Sequence, residues 1–272
     1  MKVAYLGPQG SFSEEAAFRY FSKHDKWHMC DSIVDVLEAV EEGKADKGIV
    51  PIENSIEGTI NITADGLLRY DLFVEAEIIF PVSLHLLTLK GASLQEITEV
   101  WSIVPALAQC RDFMREAKVK SRQFDSTSAA AQAVKNQERK DVAAIASKYA
   151  AEVFDLQITK SDIQDNSNNH TRFVVISKKN SGQNHNTKTM LLISPTEDYS
   201  GVLSSILNVF TALSINLTWI ESRPTKKQLG TYHFFVEAQN GLHEEKMNKA
   251  ITILKAFGHD VRVLGSYNTI KL

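Results

Sequence analysis

The segment KVAYLGPQGSFSEEAAF, residues 2–18, joins a short apolar run to a helix-forming run through a turn that contains two glycines. KVAYL has the pattern of a buried strand, and Ser11 and Glu14 have the S-x-x-E spacing of a helix capping box. A strand, a tight turn and a capped helix in this order are typical of an α/β fold. This segment therefore predicts the first unit of a parallel sheet.

The same alternation continues outward from this segment to about Ile176. Apolar runs predict strands at residues 2–6, 47–52, 74–80, 99–104, 142–146 and 172–177. Helix-period segments predict helices at residues 11–21, 32–42, 105–117 and 128–137. The sequence thus predicts a large α/β domain built on parallel strands.

Residues 178–188, KKNSGQNHNTK, contain no apolar side chain and predict an exposed linker. Beyond it the pattern predicts strands at 190–194, 215–223, 229–238 and 260–267, with helices at 201–213 and 244–257. This order is βαββαβ, the plan of a ferredoxin-like domain.

The composition is that of an ordinary globular protein. The chain has 272 residues, of which 43% are hydrophobic and 23% charged, and its length predicts about two domains. Lys and Arg number 30 against 33 Asp and Glu, so there is no basic field to attract nucleic acid or a membrane surface. The absence of a membrane-spanning stretch and of a signal-peptide pattern predicts a cytoplasmic protein.

The sequence offers no support for a metal or disulfide site. Cys30 and Cys110 are the only cysteines and form no C-x-x-C pair, and the eight histidines form no H-E-x-x-H motif. We therefore predict no metal site.

Four polar clusters lie where strands and helices of the α/β domain meet. They are Gly7–Ser11, Glu53-Asn54-Ser55, Asp125–Ser128 and Asn168–Phe173. In α/β sheets, helix N-termini beside the carboxyl ends of strands bind anions, and a guanidinium clamps a carboxylate well. Each cluster alone is also explained by helix capping, a turn or a salt bridge. Four of them in one domain exceed what capping requires and indicate a ligand site.

Six segments resemble the prephenate dehydratase family in order and approximate spacing. They are GPQGSFSEEAA (7–17), PIENSIEGT (51–59), ALAQC (106–110), STSAAA (126–131), IQD (163–165) and NHTRF (169–173). The C-terminal βαββαβ unit, with Glu221-Ser222-Arg223-Pro224, resembles the ACT regulatory domain of that family.

The resemblance implies conversion of prephenate to phenylpyruvate with loss of water and carbon dioxide, without a cofactor. It also implies a catalytic domain over residues 1–178 that is built like a type II periplasmic binding protein. Lobe 1 would comprise residues 1–80 and 159–178, and lobe 2 residues 81–158. A linker at 179–188 and an ACT domain at 189–272 would follow.

By the same resemblance, Thr171 is the expected proton donor. Glu53 is the other candidate acid, on the condition that it is buried. Phe173 is expected to pack on the substrate ring or, equally, in the core. Gln109 is expected only to orient its neighbours. The expected substrate-binding residues are Ser11, Asn54, Ser55, Ser126, Thr127, Ser128, Arg172 and Phe173.

The resemblance also implies a phenylalanine site between paired ACT domains, in a homodimer or homotetramer. Its expected residues are Gly201, Val202, Leu203, Glu221, Ser222, Arg223 and Pro224. The Glu221–Pro224 segment is otherwise explained as a strand end with a structural ion pair. The sign of the effect stays open, because Ser200 replaces the family's proline before Gly201.

One catalytic segment departs from the family pattern. Ser102 is followed by Ile103, Val104 and Pro105 where the family usually has His-Pro-Gln, so any substrate contact made by that His and Gln is in doubt. Two other functions remain open: dehydration of arogenate, and a two-lobed sensor without catalysis.

Overall fold

The computed structural model describes residues 1–180, 185–197 and 199–272. Within these residues the strands form three sheets, of seven, five and four strands. The first two sheets belong to the two α/β lobes and the third belongs to the C-terminal domain. This arrangement confirms the predicted fold class, but both lobe sheets are mixed and not built on parallel strands alone as the sequence pattern predicted.

Lobe 1 is built on the seven-stranded sheet, in which β16-β5-β11-β3-β1-β2 is the strand order and β4 pairs with β3. The strands are β1 (Lys2–Leu6), β2 (Lys26–Cys30), β3 (Lys47–Asn54), β4 (Gly58–Thr59), β5 (Phe73–Pro81), β11 (His170–Ser177) and β16 (Thr269–Lys271). The helices are α1 (Phe12–Tyr20), α2 (Ile33–Glu41) and α3 (Asn61–Arg69). Strands β1, β2 and β3 are parallel, and β11 runs antiparallel to β3 and β5.

Lobe 2 is built on the five-stranded sheet, in the order β10-β6-β9-β7-β8. The strands are β6 (His85–Thr88), β7 (Glu99–Ser102), β8 (Lys120–Gln123), β9 (Val142–Ala146) and β10 (Gln157–Lys160). The helices are α4 (Val104–Ala108), α5 (Arg111–Ala117), α6 (Thr127–Gln137) and α7 (Lys148–Val153), with a 3₁₀ turn at Leu94–Glu96. Strand β10 extends to Lys160, two residues beyond the limit predicted for this lobe.

The C-terminal domain has the predicted βαββαβ order and an antiparallel sheet in the order β13-β14-β12-β15. Its elements are β12 (Lys188–Ser194), α8 (Val202–Ala212), β13 (Leu217–Pro224), β14 (Tyr232–Ala238), α9 (Glu245–Ala256) and β15 (Asp260–Tyr267). Leu191, Ile193 and Val236 pack under the two helices with Ile206 and Leu254.

The other face of the C-terminal sheet packs against lobe 1. Met190, Trp219 and Phe235 share one buried apolar cluster with Val174 and Ile176 of β11. After β15 the chain returns to lobe 1, where β16 pairs in parallel with β5. The two domains therefore share both a hydrophobic core and a sheet.

Two predicted segments differ from the structure. The helix predicted at 105–117 is broken at Gln109 and Cys110, because the Asp165 carboxylate accepts hydrogen bonds from Arg111 N and Asp112 N and starts a new helix there. Part of the predicted linker, residues 181–184, lies outside the described residues. At the end of that linker His185 and Thr187 are exposed as predicted, but Asn186 between them is buried and donates to Ser266 O.

Candidate active site

The polar clusters meet at the boundary between the two lobes. In the lobe 1 sheet, β1 and β3 end at the same edge because they are parallel, and the antiparallel β11 begins at that edge. In lobe 2, helices α4, α6 and α7 follow β7, β8 and β9, which are also mutually parallel. Hydrogen bonds from these helices reach lobe 1, so the carboxyl ends of both sheets face each other. This is the position at which α/β proteins bind ligands.

The Thr171 hydroxyl lies beside the amide of Asn54. Asn54 Nδ2 is 3.1 Å from Thr171 Oγ1, 2.9 Å from Asn169 Oδ1 and 3.3 Å from His170 O. Asn54 Oδ1 accepts from the backbone N–H groups of Ile56 and Glu57. Since the amide donates to Oγ1, the hydrogen of the Thr171 hydroxyl remains free to be donated elsewhere.

Gln109 connects this group to lobe 2. Its Oε1 accepts from Asn169 Nδ2 at 2.8 Å, and its Nε2 donates to Glu57 Oε1 at 3.3 Å. Asn169 in turn accepts from Asn54. Gln109 thus orients the Asn169–Asn54–Thr171 chain across the boundary, in keeping with the limited role predicted for it.

The hydroxyls predicted to bind substrate are mostly used inside the protein. Ser11 Oγ accepts from Glu14 N at 3.1 Å and donates to Leu6 O at 3.2 Å, and Ser126 Oγ accepts from Ala129 N at 2.9 Å. Ser128 Oγ donates to Gln9 O and so ties α6 to the turn after β1. Their structural role is to shape the turn and the N-terminus of α6.

Ser55 and Ser102 also hold backbone segments in place. Ser55 Oγ donates to Asn168 O at 3.0 Å and accepts from His170 N at 2.9 Å. Ser102 is buried and donates to Ile145 O at 2.7 Å, which joins β7 to β9. Thr127 is buried in the first turn of α6, beside Ser126.

Glu14 was not singled out from the sequence except as part of a capping box, yet it is central to the boundary. This buried carboxylate accepts from Tyr5 Oη at 3.0 Å, from Gly10 N and from Tyr149 Oη of lobe 2 at 3.1 Å. Burial, followed by the charge of Glu14, raises the pKa of Tyr149 well above its ordinary value, so the phenol stays a donor. The sequence signal that could have found it is an apolar helix face that contains a glutamate.

Arg172 does not join the donors around Thr171. Its guanidinium is buried and pairs with Glu77 at 2.7 Å, with Glu53 at 3.2 Å and with Glu237 of the C-terminal domain. Successive side chains of a strand point to opposite faces of the sheet. The segment at 170–173 lies inside β11 and not before it, so Thr171 and Arg172 point apart. The predicted carboxylate clamp is therefore replaced by an interdomain ion pair.

Phe173 and Glu53 also differ from their predicted roles. Phe173 is 1% exposed and meets the Phe80 ring edge-on at 6.2 Å, so it occupies the core position that was the alternative. The Glu53 side chain is 34% exposed and paired with Arg172. The burial on which its role as an acid depended is not observed.

The residues predicted to bind phenylalanine lie at one end of the C-terminal sheet. Gly201 has φ +90° at the start of α8, where a Cβ would be strained but would meet no neighbour. Leu203 and Ser222 are exposed, and Val202, Glu221 and Pro224 complete the set. Arg223 bonds to α3 of lobe 1, with Nε 2.7 Å from Asp65 and NH1 2.8 Å from Asn61.

Two α/β lobes with facing strand ends, joined to a βαββαβ domain, define a two-lobed α/β protein whose polar clusters meet between its lobes. A family model described as prephenate dehydratase matches residues 3–181. The chain belongs to the prephenate dehydratase family.

Similar proteins of known sequence or structure match this chain over nearly its full length. The prephenate dehydratase of Lactococcus lactis (strain IL1403) is 38% identical, over 100% of this chain and 99% of that protein. The crystal structure of the Staphylococcus aureus prephenate dehydratase is 37% identical, with a TM-score of 0.90 over 98% of this chain and 100% of that one. A prephenate dehydratase from Arthrobacter aurescens, solved in complex with L-Phe, is 30% identical, with a TM-score of 0.89 over 98% and 90% of the two chains.

Across residues 1–180, 185–197 and 199–272, the helices are too short or too polar to span a lipid bilayer. In the same part of the chain, no three His, Cys, Asp or Glu side chains are grouped to hold a metal ion.

Proposed function

We propose that this protein is a prephenate dehydratase, a carbon–oxygen lyase that converts prephenate to phenylpyruvate in phenylalanine biosynthesis. The observation that carries the proposal is the Thr171 hydroxyl, which accepts from Asn54 and keeps its own hydrogen for donation at the boundary of the lobes. Membership of the family and the relatives described above support the same activity.

The reaction needs a proton donor and no strong nucleophile. Prephenate dianion and one proton give phenylpyruvate monoanion, water and carbon dioxide. The ring C–O bond breaks as the hydroxyl leaves with the proton, and the ring C–C bond electrons of the departing carboxylate complete the aromatic ring. Thr171 donates the proton to the leaving oxygen and takes up the one proton of the overall equation from water, while the Asn54 amide, hydrogen-bonded to Oγ1, fixes the direction of donation.

We infer that the two substrate carboxylates are held by neutral dipoles. The first turn of α6, at Ser126 and Thr127, presents backbone N–H groups toward the boundary. In the turn Gly7–Ser11, the N–H groups of Gly7, Gly10 and Ser11 are bonded to Cys30 O, Glu14 and Pro8 O, so this turn supports the end of α6 and does not supply them. Ser128 joins the two turns through Gln9 O, so each is fixed before the substrate arrives. The Arg172 guanidinium is bound by carboxylates on the face of the sheet opposite Thr171, so it does not contact the substrate directly.

The test is to assay the purified protein with prephenate and separately with arogenate, and to identify the products. Phenylpyruvate formation from prephenate is the expected result. Thr171→Ala should lower kcat about a hundredfold or more, the scale for loss of a general acid. Thr171→Ser, which keeps a hydroxyl, is the matched control and should retain more than a tenth of the wild-type kcat, estimated roughly from the retained donor. Exclusive turnover of arogenate would assign the sister activity, and no turnover of either would exclude the proposal.

We further propose that the C-terminal domain is an ACT regulatory domain that binds phenylalanine and pairs with a second copy. The Arthrobacter aurescens relative was solved with L-Phe. In this chain β13 is an edge strand, and its Ile220 side chain is 44% exposed. An exposed apolar edge of this kind suits pairing between copies.

Calorimetry, gel filtration and turnover assays with phenylalanine test the regulatory proposal. We expect an oligomer of two or four chains, phenylalanine binding, and a turnover rate that changes as the binding site fills. A monomer that binds no phenylalanine, or binding that leaves turnover unchanged at every prephenate concentration, would contradict it.

A further inference from the structure

A cluster of five charged side chains, three of them buried, joins lobe 1 to the C-terminal domain. Its members, here called the interdomain ion cluster, are Glu53, Glu77 and Arg172 from lobe 1 and Lys188 and Glu237 from the C-terminal domain. Lys188 Nζ is 2.7 Å from Glu77 and 3.0 Å from Glu237. Removing one partner from such a cluster leaves a buried charge uncompensated, which is expensive.

Glu237 is the centre of this cluster on the side of the C-terminal domain. Its side chain is fully buried and accepts from Tyr267 Oη at 2.6 Å, from Thr218 Oγ1, from Lys188 and from Arg172. The Trp219 ring lies 5.3 Å from the Arg172 guanidinium and covers it. Arg172 is thus fixed by groups that the second domain supplies.

The fixed guanidinium belongs to the residue that follows Thr171. Arg172 pairs in the sheet with Glu53, and Thr171 pairs with Asn54, the amide that directs its hydroxyl. The register between β3 and β11 shifts directly after Arg172, so the ladder there is irregular. Such an irregularity bends a strand and re-aims its side chains, and the Arg172 ion pairs lie directly beside it.

We propose that Glu237 is a positioning residue for the dehydratase reaction, which acts through Arg172 on the Thr171–Asn54 pair. The inference rests on the proposed function, because it concerns the step in which Thr171 donates a proton. It also means that the C-terminal domain completes the catalytic site without touching the substrate.

Glu237 also lies where a structural change in the C-terminal domain would reach Arg172. It lies on β14 opposite Trp219 of β13, and the proposed effector segment Glu221–Pro224 continues the same β13 strand. Glu77, by contrast, lies on β5 of lobe 1, although its carboxylate also accepts from Lys188 of the C-terminal domain and from Thr269 of β16. A shift of β13 would therefore reach Arg172 through Glu237.

The test compares Glu237→Gln with the matched control Glu245→Gln, an exposed carboxylate on α9. Glu237→Gln keeps the shape of the side chain and removes its charge. We expect kcat for prephenate to fall about tenfold to hundredfold, because small displacements of a reacting group cost that much, with KM changed less than about threefold. Glu245→Gln should keep the wild-type kcat and KM. A loss of folded protein alone would lower the amount of active enzyme, so rates are normalised to active sites titrated with a tight-binding ligand.

A double-mutant cycle with Arg172→Lys separates positioning from a general loss of stability. If Glu237 acts through Arg172, the double variant should have a kcat within about threefold of the slower single variant. Multiplied losses would show independent effects and overturn the inference, as would a wild-type kcat in Glu237→Gln.

If Glu237→Gln does not fold, Tyr267→Phe and Thr218→Val each remove one hydrogen bond to Glu237. Each should lower kcat at constant KM, and two unchanged kcat values would overturn the inference. The failure of wild-type protein to use prephenate would refute the proposed function instead.

Discussion

The Nδ2 group of Asn54 determines how the hydroxyl of Thr171 can act. It donates to Oγ1 and to two further oxygens of the Asn169–His170 segment, while Oδ1 holds the following turn through Ile56 N. Nδ2 thus directs the Thr171 hydroxyl, and Oδ1 holds the turn. A substitution can remove the Nδ2 donor and keep the oxygen that accepts from the turn.

Asn54→Asp makes that change. The carboxylate can still accept from the turn, but it cannot donate to Thr171, and it brings a negative charge to the site of a dianionic substrate. We expect kcat/KM for prephenate to fall about a hundredfold. Steady-state kinetics measure the loss, and Asn208→Asp on the exposed side of α8 is the control. A value within threefold of wild type would remove Asn54 from the proton-donating pair.

At this scale the sequence predicted which residues lie close together better than which way their side chains point. Thr171, Asn54 and Gln109 come together as the motifs indicated. Arg172 was predicted to join them because it is adjacent in the chain, but adjacency in a strand means opposite faces. Its carboxylate partners are 65, 95 and 119 residues away in the sequence, so no local pattern could show them.

Helices α1 and α7 are linked through one carboxylate that crosses the boundary between the lobes. Glu14 of α1 accepts from Gly10 N in the turn after β1 and from Tyr149 Oη of α7. The same carboxylate thus shapes the turn after β1 and holds lobe 2 beside it. Loss of the Tyr149 bond should weaken the contact between the lobes without changing the proton donor.

Tyr149→Phe is therefore expected to act on substrate binding. A hydrogen bond to a charged group is worth about 1.5 kcal/mol, which corresponds to about a tenfold change in affinity. We predict a rise of about tenfold in KM for prephenate, with kcat within threefold of wild type. Tyr70→Phe removes a similar bond, to Glu38 within lobe 1, and should leave KM unchanged. A fall in kcat at constant KM would contradict this role for Tyr149.

Most strands and helices followed from the sequence because their apolar patterns are local. The sequence pattern did not predict β2, β4, β6, β8, β10, β16, α3 and α7. Two departures show why such predictions fail. Residues 105–117 have the composition of one helix, and only Asp165, which arrives from a distant loop, divides it into α4 and α5. Strand β8 has four exposed side chains and no apolar alternation, so its sequence carries no strand signal.

The position of the C-terminal domain on lobe 1 was not predictable from the sequence. Its βαββαβ order was visible in the pattern, but the side chains that dock it are scattered. Lys188 ends the polar run taken as a linker, and Arg262 donates to Leu67 O and Tyr70 O of lobe 1. Tertiary packing, rather than any local motif, turns these residues inward. Lobe 1 and the C-terminal domain therefore form one unit that is joined by the interdomain ion cluster.

The charges of the interdomain ion cluster predict how the stability of the whole molecule depends on pH. Burial opposes ionisation of Glu237, but Arg172, the hydrogen bonds of Thr218 and Tyr267, and Lys188 together hold its pKa below the ordinary value of 4.5. A carboxyl group with a lowered folded-state pKa adds stability above its unfolded-state pKa and loses it as the pH falls through the folded-state value.

We therefore expect the wild-type protein to lose thermal stability below about pH 4.5, partly because Glu237 takes up a proton when the domains separate. Glu237→Gln has no such proton to bind, so its unfolding temperature should fall less between pH 6 and pH 4 than that of the wild type. Calorimetric scans of both proteins across this range measure the difference, and Glu245→Gln corrects for the loss of one negative charge. If the unfolding temperatures of Glu237→Gln and of the control change in parallel with pH, the domains separate without protonation of Glu237. The contribution of the interdomain ion cluster to domain docking would then have to come from Glu77.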